Sequence, residues 1–140
     1  MSAQSLKGKA VPQEWVLDKW VPYRTVTALF GAGGVGKTLL THQLGQCVAE
    51  GKPFFGTGTT KTLVLMVFCE DDLAEIARRQ EAIDKWSGHH NMGRKAPELL
   101  YVWDRVGLEN ILTTFTADGE GKRQPFYKKL STAVERLKER

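Results

Sequence analysis

Cysteine is scarce in this chain, with two among 140 residues, Cys47 and Cys69. That excludes a disulfide framework and points to a reducing compartment. Long apolar runs are missing too. The longest, Leu63 to Cys69, has seven residues, far short of the roughly 20 that cross a bilayer. The first fifteen residues hold no apolar stretch of the kind a secretion signal needs. No internal repeat or low-complexity tract is present. These absences predict a soluble, cytoplasmic chain with no membrane contact, and 140 residues are room for one domain. Apolar residues at 41% and charged residues at 26% exclude wholesale disorder.

The net charge of +4 is unevenly placed. From Lys122 onward there are seven basic and two acidic residues, whereas residues 1–121 hold 13 basic and 14 acidic. A pI near 9.1 therefore reflects one terminal segment. Because it rests on one terminal helix, a solvated helix face explains it better than a nucleic-acid contact does.

Residues 1–13 are polar and read as a mobile N-terminal segment. Trp15, Val16, Leu17, Trp20 and Val21 form an apolar lead-in covering part of the core. Thr25 to Phe30 reads as a short strand ending at Gly31. Lys37 to Glu50 reads as a helix, with Leu40, Leu44, Cys47 and Val48 at helical spacing, stopped by Gly51 and Pro53. A Gly- and Thr-rich loop covers 51–60. Thr62 to Phe68 is a continuous apolar run of the sort buried in a parallel sheet. A second helix is predicted from about Asp72 to Trp86, a loop from Ser87 to Pro97, and a third strand from Leu99 to Trp103. A brief helical stretch is expected over Leu108–Phe115 and a polar loop over Ala117–Gln124. The last helix opens at Pro125 and carries the stripe Phe126, Leu130, Val134, Leu137. Alternating strands and helices predict an α/β fold with a parallel sheet and flanking helices. Three short strands are few for such a domain, and a striped final helix should lead to another strand. The domain is therefore expected to be incomplete at Arg140.

Gly31-Ala32-Gly33-Gly34-Val35-Gly36-Lys37-Thr38 matches G-x-x-x-x-G-K-[ST]. Glycines let the backbone curl so that successive N–H groups point at phosphate oxygens. Lys37 can reach the β- and γ-phosphates of ATP, the Thr38 hydroxyl can ligate Mg²⁺, and the helix start adds its positive end. The expected nucleotide-binding residues are Gly31, Ala32, Gly33, Gly34, Val35, Gly36, Lys37, Thr38 and Leu39, with Lys37 also catalytic and Thr38 the magnesium ligand. A second acidic feature, Cys69-Glu70-Asp71-Asp72, ends the apolar run. A carboxylate there can orient and polarise the water that attacks the γ-phosphate. Asp72 with Glu75 also makes a helix-capping pair, which leaves Glu70 as the catalytic candidate ahead of Asp71.

With these residues in hand, the chain resembles the RecA-type P-loop NTPases over residues 13–140. Within them it is most similar to the RepA-like branch of hexameric replicative helicases and related phage and plasmid AAA-family ATPases. The resemblance rests on Trp15, Trp20 and Pro22 leading into Val26–Thr38, on Val64–Asp72 followed by Arg78-Arg79, and on Asp104-Arg105-Val106-Gly107-Leu108. It implies a RecA-like domain over 14–140, Mg²⁺ as cofactor, ATP as substrate, Glu70 as water activator and Arg79 near the adenine. It also implies a hexameric homo-oligomer acting in DNA replication, with DNA as a partner on that ground alone. Such families continue into an apolar strand ending in Asp, a polar sensor and an arginine finger, none of which occurs before Arg140; Asp104 comes nearest to the first. Slow or no turnover is expected of these residues alone.

Two rival readings use the same loop. A partition-type ATPase carries a second lysine immediately after the first glycine, where this chain has Ala32. A nucleotide-binding regulatory module without hydrolysis needs the loop and nothing more. His89-His90-Asn91 lacks a third metal ligand and reads as a solvated loop. His42 reads as packing or surface. Cys69 reads as a small buried residue, and the four tryptophans as core or interface.

Overall fold

The computed structural model describes residues 3–88 and 97–139, arranged as two compact units, Met1–Thr62 and Leu63–Arg140. The loop expected over 87–97, with His89-His90-Asn91, lies almost wholly outside the described residues.

In the first unit a single-turn 3₁₀ helix (Ala3–Leu6) precedes a small hairpin of β1 (Trp15–Leu17) and β2 (Val21–Pro22). Lys19 turns the chain between them at φ 58°. The apolar lead-in is thus built as strands. Residues 57–60 run along β1: Asp18 donates to the Gly58 carbonyl and Thr60 to that of Val16, at 3.0 and 2.9 Å. Helix α1 (Lys37–Glu50) ends at Gly51, whose N–H and that of Lys52 reach the Val48 and Cys47 carbonyls. Gly51 is left-handed (φ 70°), and a Cβ there would lie 2.9 Å from the Lys61 Cβ, so no other residue fits without displacement. A tight turn at Phe55 and Gly56, both left-handed, closes 54–57 with reciprocal bonds between Phe54 and Thr57. Leu17, Cys47 and Phe54 form the core of this unit, with Val21 and Leu44 packed against them.

Residues 25–30 correct the sequence reading. They form no strand, and Val26 is 97% and Phe30 88% exposed. A strand needs a partner for its N–H and C=O groups, and among the described residues this segment pairs with none.

The second unit is built on a parallel pair. β3 (Val64–Phe68) lies beside β4 (Leu100–Asp104) in the register Val64↔Leu100 through Phe68↔Asp104, with α2 (Leu73–Trp86) in the connection. Bonds from Val64 to Leu99 and from Arg105 to Phe68, both 2.8 Å, extend the ladder. Ile76 and Ile83, seven residues apart on α2, are its buried contacts. β5 (Thr113–Phe115) and β6 (Gly121–Arg123) make an antiparallel hairpin. This replaces the helical stretch expected over 108–115 and part of the loop expected over 117–124. Thr113, Thr114 and Phe115 favour extended backbone, and 121–123 supply the partner. Helix α3 (Pro125–Lys138) opens on Pro125 as expected and buries Phe126, whose ring meets Trp103 edge-on at 5.9 Å.

The result is a mixed α/β fold with small sheets. Among the described residues one two-stranded parallel pair stands where a three-stranded parallel sheet was expected, and the other two pairs are antiparallel. No helix among the described residues is long and apolar enough to cross a membrane.

Candidate functional site

The phosphate-loop motif is an exposed arc of backbone that runs straight into α1. Gly34 and Gly36 are left-handed (φ 75° and 87°), conformations that turn successive amides to one side and that β-carbons would strain. Gly36 is the N-cap of α1 and no side chain caps the helix. The first intrahelical bond is that of Leu40 to the Gly36 carbonyl at 2.9 Å. The amides of Lys37, Thr38 and Leu39 therefore belong to the set that a helix cannot satisfy internally, at its positive end. Lys37 folds back over the loop, and its Nζ donates to the Gly31 and Ala32 carbonyls at 2.9 and 2.6 Å. The cation is thus tied to the start of the loop. Thr38 is half-buried, and its carbonyl accepts from the Thr41 hydroxyl at 3.0 Å.

Among the described residues no group of three His, Cys, Asp or Glu side chains can hold a metal. The donor set here is one hydroxyl, Thr38, beside the glycine-rich turn. That suits Mg²⁺, which keeps most of its waters and takes its other ligands from phosphate oxygens.

The acidic triplet after β3 divides into three roles. Asp72 is the N-cap of α2 and accepts from the Glu75 amide at 2.8 Å, as its spacing predicts. Asp71 receives the Arg79 guanidinium in a two-pronged pair, 2.6 and 2.9 Å. Arg79 also donates to Glu75 at 2.8 Å, and Glu75 in turn accepts from Arg78. The hydrogen bond to Asp71, with the charges of Asp71 and Glu75 behind it, pushes the guanidinium pKa up against a smaller effect of burial. Arg79, expected near adenine, is thereby tied to two carboxylates of its own helix start. Glu70 is exposed, with no hydrogen bond or ion pair among the described residues. Cys69 is exposed, not buried as the sequence suggested, because β3 ends one residue earlier at Phe68.

Asp104 ends β4 opposite Phe68, and its carboxylate accepts from the Val106 amide at 3.0 Å, closing a turn. The residue after it, quoted in the sequence only as part of the resemblance, has a role the sequence did not assign. Arg105 is 7% exposed, donates to Asn110 Oδ1 and the Glu109 carbonyl, and lies 4.5 Å from the Phe126 ring centre and 5.3 Å from that of Trp103. It joins β4, the following loop and α3. The aromatic residues that hold it are distant in sequence, so no local spacing signals the role. His42, read as packing or surface, is fully buried on α1.

No curated protein and no solved structure matches the chain. A family of AAA domains matches residues 1–139, nearly the whole length. With a glycine arc, a lysine held over it and an open helix start, the chain belongs to this AAA domain family, a class of nucleotide-binding ATPases.

Proposed function

We propose that the chain binds Mg²⁺·ATP at residues 31–39, with Glu70 as the residue that activates water in hydrolysis. The observation that supports it most is the position of Lys37 Nζ over the loop beside an uncapped α1 start. The carbonyls of Gly31 and Ala32 hold the cation where β- and γ-phosphate oxygens would take their place. The amides from Gly33 to Leu39 and the positive helix end meet the remaining phosphate charge. Thr38 would hold Mg²⁺ through its hydroxyl, and the ion would supply neutralisation of phosphate charge. Glu70, at the carboxyl end of β3, accepts a proton from the attacking water, giving ADP and inorganic phosphate. Asp71 and Asp72 are engaged with Arg79 and the α2 start, which leaves this role to Glu70. We assign the parent to the RepA-like branch, a ring-forming ATPase acting on DNA, on the strength of the sequence resemblance.

Lys37→Ala is expected to lower ATP affinity at least tenfold, about 1.4 kcal/mol or more, measured by titration with a fluorescent ATP analogue. An unchanged affinity overturns the site. Glu70→Gln is expected to keep ATP affinity within about threefold and to abolish whatever slow turnover the chain supports. Equal loss from Asp71→Asn with Glu70→Gln silent would move the role to Asp71.

A further inference from the structure

The residues around the glycine-rich turn are apolar and left open to solvent. Leu29 and Phe30 enter it, Val35 lies within it, and Leu39 and Leu40 follow on α1; all five are exposed, Phe30 at 88%. Large apolar side chains grouped on a surface mark a place that takes a ligand or a partner. Here they line one concavity of about 410 Å³, which Gly36, Lys37 and Gln43 complete. Gly36, Leu39, Leu40 and Gln43 follow helical spacing, so the first turns of α1 form a wall of it. The volume is that of a small-molecule site. Gln43 is the one uncharged polar side chain lining it, and its amide makes no hydrogen bond among the described residues. Arg79, which the resemblance puts beside adenine, is committed to Asp71 and Glu75. A bound base therefore needs another surface.

We propose that this concavity takes the adenine of ATP, with the base stacked on Phe30 and its amino edge read by Gln43. The inference rests on phosphate binding at residues 31–39, which share Val35, Gly36, Lys37 and Leu39 with the concavity. A nucleotide whose phosphates lie on the loop brings its base to these same walls. A flat heterocycle with apolar faces and a hydrogen-bonding edge uses both the ring and the amide. A fatty chain would leave the amide unpaired, and a further phosphate would gain nothing from the ring. The carboxamide also distinguishes purines. Its Oε1 accepts from the exocyclic amino group of adenine while its Nε2 donates to the neighbouring ring nitrogen; guanine offers two acceptors on that edge, and the amide oxygen then faces a carbonyl.

The test is calorimetric titration of the whole chain with the Mg²⁺ complexes of ATP, GTP and inorganic tripolyphosphate, which carries the phosphates without a base. ATP is expected to bind at least about fivefold more tightly than tripolyphosphate, the lower end of what one base–aromatic stack contributes. It is expected to bind at least about fivefold more tightly than GTP. Phe30→Ala changes an exposed side chain; it is expected to remove most of the margin over tripolyphosphate and to leave tripolyphosphate affinity unchanged. Phe30→Trp keeps a flat ring and is expected to retain ATP affinity, with its added emission quenched by ATP and not by tripolyphosphate. Gln43→Leu is expected to bring ATP and GTP to equal affinity. An ATP affinity untouched by Phe30→Ala, or no quench by ATP in Phe30→Trp, overturns the proposal. So does an equal loss of ATP and tripolyphosphate affinity in Phe30→Ala, because the ring would then act on the loop. Native protein that binds tripolyphosphate and ATP equally overturns the base site alone; native protein that binds neither overturns the phosphate site and the base site with it.

Discussion

Cys47 and Cys69 are chemically identical groups separated by where they sit. Cys47 is 4% exposed in the core of the first unit, and burial first, then the charge of Glu50, pushes its thiol pKa up against a smaller opposing effect of Lys52. Cys69 is exposed beyond the end of β3. Under native conditions near neutral pH one thiol equivalent is expected to react quickly with a disulfide reagent and the second only on unfolding. Replacing Cys69 by Ser removes the fast phase. The sign of the pH effect follows from the raised Cys47 pKa. The unfolded chain ionises first, so this thiol's contribution to stability is complete below the ordinary thiol range and declines as pH rises through it. Urea midpoints that fall with alkaline pH in the native protein, and fall less in Cys47→Ala, check it. At this scale the glycine-rich turn and its run into α1 were legible, because both are carried by consecutive residues. Glu70, Asp71 and Asp72 were legible only in part. Capping has a local spacing that marks Asp72, but nothing local marks the Arg79 fork that engages Asp71.

Helix boundaries follow from chemistry at their ends. Asp72 bonds the Glu75 amide and Gly51 adopts the left-handed turn, so α1 and α2 begin and end within a residue of their sequence signals. Asp72→Ala should destabilise the second unit by about 1 kcal/mol, with Asp72→Ser recovering most of it, as read by urea denaturation of far-ultraviolet ellipticity. A larger loss would mean that Asp72 supports the neighbouring Asp71–Arg79 pair as well. β3 and β4 were legible because each is a continuous apolar run of strand length. The short strands were not. Trp15–Leu17, Val21–Pro22 and Gly121–Arg123 are too brief to show a period, and each exists only because a partner lies opposite. The 108–115 stretch failed for the converse reason. Apolar residues at suggestive spacing read as a helix, while Thr113–Phe115 found a strand partner within ten residues.

At the scale of the whole molecule, burial separates a residue's pattern from its place. Thr25–Phe30 alternates and branches like a core strand, yet Val26 is 97%, Phe30 88% and Leu29 51% exposed. An exposed position tolerates a charge, whereas a buried strand position does not. Val26→Glu is therefore expected to change unfolding free energy by less than about 0.5 kcal/mol. If the segment were packed in a sheet, the same change would leave an unpaired charge in apolar surroundings and cost about 3 kcal/mol or more. The two outcomes differ by many degrees in melting temperature for domains of this size, so a thermal scan of the two proteins decides between them. Exposed apolar side chains that lie close together in sequence also favour association between copies. Val26→Glu is accordingly expected to reduce any concentration dependence of the sedimentation coefficient. A sedimentation profile unchanged by the substitution, with stability also unchanged, would show that Val26 serves neither packing nor association. A large loss of stability would restore the strand that the sequence alone suggests.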